Sequence, residues 1–375
     1  MKVLQVGKVL PPPYAGIEAH VEQLIETLAP EVQCELLVSE TGWKHRQGNP
    51  RPFPVFAARS LARVAATHLS PGMPFMMRQW AVRNPGEIVH IHVPNPMADV
   101  SSKLLPKDTP LVLTWHSDIV RQKRLLKLYW PILHNLMERA DRIIAFTPKH
   151  IESSVQLGAV PSSKLSLVPV AINPERLRVT PEIEAAITRW REKLGDRRVV
   201  ATVGRHVYYK GYEYLIDAVA KLPSDVQLVM VGSGPLTPDY RRQGIERGIA
   251  DRVHLCGSLP DVDMIALMHA CDIFCLPSIE PSEAFGLATA EAMLCGRPCV
   301  VCELGNGVNY LNRQGVTGLT VPPRDVEALA DALGTLLRDD ALRLQMGRAA
   351  LEWVSAEFSP ERMKSGTLAV YNQVK

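Results

Sequence analysis

Short runs of aliphatic and β-branched residues alternate with amphipathic stretches from the start of the chain. Residues 2–6, 34–38, 88–92, 111–114 and 142–146 read as strands, while 17–28 and 119–139 carry helical spacing. After the proline-flanked stretch 169–174 the alternation restarts, with strand patterns at 199–203, 226–231, 253–255, 273–276 and 298–301, each followed by a loop and a helical pattern. Such alternation implies a parallel sheet wrapped by helices, so the expected class is α/β with two Rossmann-like units in tandem. Ligands of open parallel sheets lie beyond the carboxyl ends of the strands. That directs attention to the loops 8–16, 114–118 and 204–210, and to a cleft between the two units.

A chain of 375 residues is long enough for two domains with two cores. Its 46% hydrophobic and 22% charged residues exclude a disordered polymer. No apolar run approaches the ~20 residues of a membrane-spanning helix, and the N-terminal apolar stretch is too short for a secretory signal, so a cytoplasmic protein is expected. Seven cysteines, five of them set among Ile, Phe, Leu and Val, read as reduced core thiols. Cys299 and Cys302 form a C-x-x-C, but in a strand residues three apart point to opposite faces.

Three loops carry candidate chemistry. Ser278-Ile-Glu280-Pro-Ser-Glu283-Ala-Phe285-Gly286-Leu-Ala-Thr-Ala-Glu291 reads as a strand end, a loop with carboxylates, and a helix that starts after Gly286. There Glu283 and Glu291 can flank one ligand while the backbone N–H groups of Phe285 and Gly286 face it; the alternative is a capped helix with solvated glutamates. In Val199-Val-Ala-Thr-Val-Gly204-Arg205-His-Val-Tyr-Tyr-Lys210-Gly211 a buried strand ends in glycine and then offers a planar guanidinium and a mobile ammonium. That pairing suits a diphosphate, unless both are plain surface cations. In Ala15-Gly16-Ile-Glu18-Ala-His20 the chain enters a helix through glycine, where backbone can approach an anion.

Two metal-like patterns have simpler readings. Asp261-Val-Asp263 precedes an apolar-periodic segment and reads as a helix first turn. His90-x-His92 places two rings on one strand face with no third ligand in view, and core or cleft-lining histidines are expected.

These motifs, taken in order, resemble the retaining GT-B glycosyltransferases of family 4. The resemblance spans the chain: the Gly-Gly-x-Glu-x-His-like loop, with Ala15 in place of the first glycine; His116 in Thr114-Trp-His116-Ser-Asp118; Gly-Arg-(x4)-Lys-Gly; Glu-(x7)-Glu; and Thr317-Gly-Leu-Thr-Val-Pro-Pro. It implies a GT-B fold of two Rossmann-like domains facing across a cleft. An acceptor-binding domain would span 1–172, with a last helix at 359–375 packing back on it, and a donor-binding domain 173–358. It also implies roles: Gly16 by its backbone, with Arg205 and Lys210, on the donor diphosphate; Glu283 on hydroxyls of the transferred sugar; Glu291 on the ribose; His116 beside the donor sugar, with Asp118 nearby; and Asp118, Arg121 and Lys123 on the acceptor. His116-Ser-Asp118-Ile-Val-Arg121-Gln-Lys123 and Cys302-Glu-Leu-Gly-Asn-Gly-Val-Asn-Tyr310 are similar to enzymes that build O-antigen and exopolysaccharide repeat units on lipid carriers.

The activity implied is retaining, metal-independent hexose transfer from a GDP- or UDP-sugar to a saccharide or lipid-linked saccharide, with no cofactor and no nucleic-acid partner. The rival readings are a GT-B-type nucleotide-sugar epimerase or phosphorylase, a non-catalytic sugar-nucleotide binding module, and a dinucleotide oxidoreductase suggested by Gly232-Ser-Gly234. The last lacks the third glycine of its fingerprint.

Charge adds one more expectation. Residues 41–86 hold seven Lys or Arg and no Asp or Glu, although soluble surfaces normally mix both signs. Helical spacing over 57–69 puts Leu61, Val64, Ala65 and Leu69 on one side and Arg59 and Arg63 on another. An anionic membrane surface is the expected partner, placing the protein peripherally at the inner face of the cell membrane. Arg121, Lys123, Arg124 and Lys127 would then meet the phosphates of a lipid-linked acceptor.

Overall fold

The computed structural model describes residues 1–9, 16–40, 51–64, 67–119, 123–195 and 197–375, the side chains of 123–126 aside. Backbone contacts divide the chain into one unit of Met1–Ala171 with Pro360–Lys375 and a second of Ile172–Ser359.

The first unit runs β1 (Lys2–Val9), α1 (Gly16–Leu28), β2 (Gln33–Glu40), β3 (Val55–Arg59), β4 (Ala62–Val64), β5 (Thr67–Leu69), α2 (Met73–Arg83), β6 (Ile88–Val93), α3 (Pro96–Ser101), β7 (Leu111–Trp115), α4 (Lys123–Arg139), β8 (Arg142–Ala145), α5 (Pro148–Ser153) and β9 (Leu165–Leu167). Its seven-stranded sheet has the order β3-β2-β1-β6-β7-β8-β9, and every pairing in it is parallel. Strand period two sorts the side chains. Leu4, Val6, Val89, Ile91, Leu111 and Leu113 pack on one side with α2 and α4 through Met73, Met77, Leu133 and Met137. Val3, Ile88, Val112 and Ile144 pack on the other with Val21, Leu24 and Ile25 of α1.

The second unit runs α6 (Pro181–Leu194), β10 (Arg198–Val203), α7 (Tyr212–Ala220), β11 (Val226–Val231), α8 (Thr237–Glu246), β12 (Val253–Gly257), α9 (Asp261–Ala270), β13 (Ile273–Leu276), α10 (Leu287–Leu294), β14 (Cys299–Cys302), α11 (Gly307–Leu311), β15 (Gly318–Val321), α12 (Val326–Arg338) and α13 (Asp340–Glu357). The sheet order is β12-β11-β10-β13-β14-β15, again all parallel. The final helix, α14 (Pro360–Val374), returns to the first unit. Met363, Val370 and Tyr371 are buried there among Val3, Ile25 and Val112.

Chain order reverses between β1 and β6 in the first sheet and between β10 and β13 in the second. In open parallel sheets, ligands bind beyond the carboxyl ends of the strands at such a switch point.

The helix expected over 57–69 is not formed. Val55–Arg59 extends the sheet by pairing with β2, from Leu36↔Val55 to Glu40↔Arg59, and β4 and β5 form an antiparallel hairpin. Tertiary pairing of β-branched Val55, Val64 and Thr67 overrides a weak helical period. Of the apolar side chains placed together on one side of that helix, Leu61 is 69% exposed, Val64 56% and Leu69 40%, while Ala65 lies outside the described residues. All seven cysteines are free. Among the described residues, no helix is long and apolar enough to cross a membrane.

Candidate active site

At the switch point of the second sheet, the loops after β10 and β13 bring Lys210 and Glu283 together. Lys210 Nζ lies 2.5 Å from Glu283 Oε2, and Ser278 Oγ donates to the same oxygen at 3.1 Å. Burial works against the Lys210 ammonium, yet the Glu283 carboxylate outweighs it and holds the pKa above its ordinary value. Arg205, immediately after Gly204, is exposed beside this pair in sequence.

Gly286 caps α10 in the left-handed region at φ 81°, and a Cβ there would stand 2.8 Å from Leu276 Cδ2. Only glycine enters this turn without strain. The N–H groups of the first turn of α10 lack helical acceptors, as at any helix start. Phe285 is buried, its ring edge-on to Phe358 with centroids 5.0 Å apart, so its backbone rather than its side chain is available to a ligand.

Glu291, in the second turn of α10, accepts from Arg176 NH1 at 2.5 Å. Arg176 also donates through Nε to Asp261 Oδ2 at 3.0 Å and through its other amino group to Asp261 Oδ1. Burial raises the pKa of the Glu291 carboxyl against the pull of this guanidinium. No motif in the sequence singled out Arg176. Asp263 pairs with Arg189 at 3.2 Å, so both acids of Asp-x-Asp lie in the first turn of α9 and are engaged by arginines.

The Gly232-Ser-Gly234 loop has a packing reason for its glycines. A Cβ on Gly232 would fall 2.0 Å from the Gly204 carbonyl oxygen, and one on Gly234 2.4 Å from that of His206. The loop after β11 therefore lies directly on the loop that carries Arg205 and Lys210.

In the first unit, Gln5, His90, His92 and Thr114 share a sheet face, because Gln5 pairs with His90 and His92 with Thr114 in the register. His116 follows β7 on that same side, and all five are buried. His92 Nδ1 is 3.1 Å from His116 Nε2. His20 of α1 closes the cluster edge-on to His116 at 5.0 Å, with its Nδ1 buried and unpartnered. Sequence reasoning paired His92 with His90 alone. The fold adds His20 and His116, whose ligand-capable nitrogens lie with that of His92 within 4.8 Å of one another. His92 and His116 spend theirs on each other. Burial lowers the pKa of every ring in the cluster, His20 to about 4, His90 to about 3, and His92 and His116 well below their ordinary value.

Beside them, Lys8 at the end of β1 is depressed by burial against the pull of Glu18 and Asp99. Asp99 is held well above the usual carboxylate range by burial, takes a hydrogen bond from Tyr129, and keeps Oδ1 without a partner.

Asp118, expected near the acceptor, is committed internally. Its carboxylate accepts from Trp115 Nε1 at 3.0 Å, Ser154 Oγ at 2.5 Å and the Gln156 N–H at 3.4 Å, which fixes the segment after His116. Gly16 opens α1. Arg121 lies outside the described residues, and Lys123 opens α4 with its side chain, like that of Arg124, outside them.

The model for glycosyl transferases group 1 matches residues 186–353, and that for Glycosyltransferase Family 4 matches 14–176. The chain is 30% identical over 377 aligned positions to the O-antigen chain mannosyltransferase C of Escherichia coli, covering 99% of this chain and 98% of that one. It is 34% identical to the D-rhamnosyltransferase WbpZ of Pseudomonas aeruginosa over 79% of this chain and 75% of that one. Among solved structures, Anabaena HepE in complex with UDP and glucose superimposes with a TM-score of 0.81 at 22% identity over the whole of both chains, and WaaG, a glycosyltransferase involved in lipopolysaccharide biosynthesis, with 0.69 at 17% over the whole of both. The two parallel-sheet units are those of a GT-B fold, and the chain belongs to the family 4 glycosyltransferases.

Proposed function

We propose that the enzyme moves a hexose, with retention and without a bound metal ion, from a nucleoside diphosphate sugar to a saccharide or lipid-linked saccharide acceptor in cell-surface polysaccharide synthesis. The second unit takes the donor and the first the acceptor. The Lys210–Glu283 pair at the β10/β13 switch point carries this reading.

Cleavage of a sugar–phosphate bond builds positive charge on the anomeric carbon and negative charge on the departing diphosphate. Lys210 and Arg205 meet the phosphate oxygens, and the N-terminus of α10 adds its partial positive charge. Glu283 accepts from hydroxyls of the transferred sugar and Glu291 from those of the ribose. Gly16, at the head of α1, offers backbone N–H to the diphosphate, and His116 meets the donor sugar. The acceptor hydroxyl attacks the anomeric carbon from the face the phosphate leaves, the carbon–oxygen bond to phosphate breaks, and the acceptor proton passes to the departing phosphate oxygen. Arginine pairing of Asp261 and Asp263 supports the reading that cations, not an ion held by Asp-x-Asp, neutralise the diphosphate.

Similarity to the E. coli O-antigen enzyme supports the polysaccharide context. Membrane docking is supported by the β4–β5 hairpin and the residue leading into it, where Leu61, Val64 and Leu69 are exposed close in sequence to Arg59 and Arg63 in the acid-free stretch.

The test is a panel of GDP- and UDP-sugars with lipid-linked saccharide acceptors, with and without EDTA. Nucleoside diphosphate should appear only when an acceptor is present, the product should keep the donor's anomeric configuration by NMR, and EDTA should have no effect. Sugar interconversion without an acceptor would replace transfer by epimerisation.

A further inference from the structure

Behind His116 the first unit holds a buried hydrogen-bond row that reaches the last helix. Gln5 Nε2 donates to the Tyr371 hydroxyl at 2.9 Å, and Gln5 Oε1 lies 3.0 Å from His92 Nε2. His92 Nδ1 lies 3.1 Å from His116 Nε2. Tyr371 is anchored from its other side by His90 Nδ1 at 2.7 Å, and His90 Nε2 by Thr114 Oγ1 at 2.7 Å. Gln5, His90, His92 and Tyr371 have no exposed surface.

Proton counting makes the row directional. A neutral imidazole carries one N–H, so one of its nitrogens must accept. The Gln5 amide directs its Nε2 N–H at the Tyr371 hydroxyl. Its oxygen is left for His92, which must donate through Nε2. His92 Nδ1 then holds only a lone pair, so His116 donates through Nε2 and keeps Nδ1 as its acceptor. Turning the amide over would reverse each of these bonds and move the His116 proton to Nδ1.

We propose that Gln5, anchored by Tyr371, sets the tautomer of His116 through His92, so that His116 carries its proton on Nε2 and presents Nδ1 to a substrate hydroxyl. Gln5, His92 and Tyr371 are positioning residues for transfer. This rests on the reading of His116 as the imidazole beside the donor sugar, but the tautomer is read without turnover, so the two fail separately. Charged and titratable groups facing His116 are Lys8 of β1, His20 of α1, His90 and His92 of β6, and His150 of α5; burial keeps His116 neutral at pH 7.5.

The test is long-range proton–nitrogen NMR of the full chain labelled with 15N-histidine at pH 7.5, with His116 assigned through His116→Gln. Both His116 and His92 should show the Nε2–H pattern. Gln5→Leu should mix the His116 tautomers and lower kcat by about 10-fold with little change in donor KM. Gln5→Glu, which only accepts from His92, should restore the pattern and most of kcat. An Nδ1–H pattern for His116 in the unaltered protein overturns the proposal without any variant. So does an unchanged His116 signal in Gln5→Leu, or a metal ion retained stoichiometrically on the imidazoles. Full activity in His116→Gln would remove the assumed role of His116 in transfer, and with it the function of the row, even with the tautomer as described.

Discussion

Lys210 Nζ and Glu283 Oε2 stand 2.5 Å apart, so the cation proposed for the diphosphate and the carboxylate proposed for the sugar share one ion pair. Each therefore sets the other's position as well as meeting its own part of the donor. Lys210→Ala should lower kcat/KM by ~2 to 4 kcal/mol, the usual loss for one preorganised charge donor. Glu283→Ala should also impair turnover. The double variant should fall short of the sum by about 0.5 to 3 kcal/mol, as expected for residues in contact. Steady-state kinetics on the four proteins measure this, and strict additivity would contradict a shared role.

Glu291 should govern nucleotide affinity instead. A carboxylate can accept from two ribose hydroxyls, and in this structure Arg176 fixes its orientation from Asp261. Glu291→Ala should weaken binding of GDP or UDP by about tenfold, near 1.4 kcal/mol, while Glu283→Ala leaves nucleoside diphosphate affinity within about twofold. Calorimetric titration with the free nucleotide separates the two; equal losses would refute the division of labour.

Much of this was legible in the sequence because it depends on local order. Strand and helix alternation gave the class, and the glycines and charges at 204–211 and 283–291 sat at the ends of strands, where side chains must converge on the switch point. What was not legible depends on chain crossings. The pattern of residues 57–69 fits a helix as well as a strand, and strand pairing decides it, of β3 with β2 and of β4 with β5. Arg176 reaches Glu291 from 115 residues away, and Tyr371 reaches Gln5 across 366. No spacing rule links such residues. Asp118 lies two residues after His116, and of its three internal donors, Trp115, Ser154 and Gln156, the last two come from more than 30 residues further along the chain.

Helix α14 should be required for the first unit's stability. Met363, Val370 and Tyr371 are buried in its core, and Lys364 and Lys375 pair with Glu31 and Glu87 at 2.6 and 2.8 Å. Val370→Ala should cost about 1 to 3 kcal/mol by cavity formation, whereas removing either exposed ion pair should cost less than about 1 kcal/mol. Urea unfolding of Val370→Ala, Lys364→Ala and Lys375→Ala ranks these contributions, and the reverse ranking would show that the helix is held by charge.

Docking to an anionic surface should need both kinds of side chain, those of the β4–β5 hairpin and Arg59 at the end of β3 just before it. Removal of Arg59 and Arg63 should lower binding to phosphatidylglycerol-containing liposomes by about 1 kcal/mol per charge, mainly at low salt. Leu61→Ser with Val64→Ser should lower it at all salt concentrations, because insertion of apolar side chains is not screened. Sedimentation with neutral and anionic vesicles tests this; binding indifferent to lipid charge and to all four substitutions would refute docking through this hairpin.

Buried neutral imidazoles make stability depend on pH in a fixed direction. An unfolded chain protonates histidine near 6.5, but His20 and His90 in the fold titrate only at about 4 and about 3. Above pH 6.5 both states hold these rings neutral and the full stability is present. As pH falls from 6.5 toward those values the unfolded state binds protons the native state refuses, so each ring removes about 1.4 kcal/mol per pH unit. Buried Glu18 and Asp99 and half-buried Glu291, with raised pKa values, act with the opposite sign and take up protons in the native state first. A variant comparison isolates the histidine contribution. His20→Leu removes a ring whose Nδ1 has no partner and should flatten the slope of unfolding free energy between pH 6 and 5 by about one proton. Urea titrations at half-unit intervals measure that slope, and an unchanged value would mean that His20 is not held neutral in the fold.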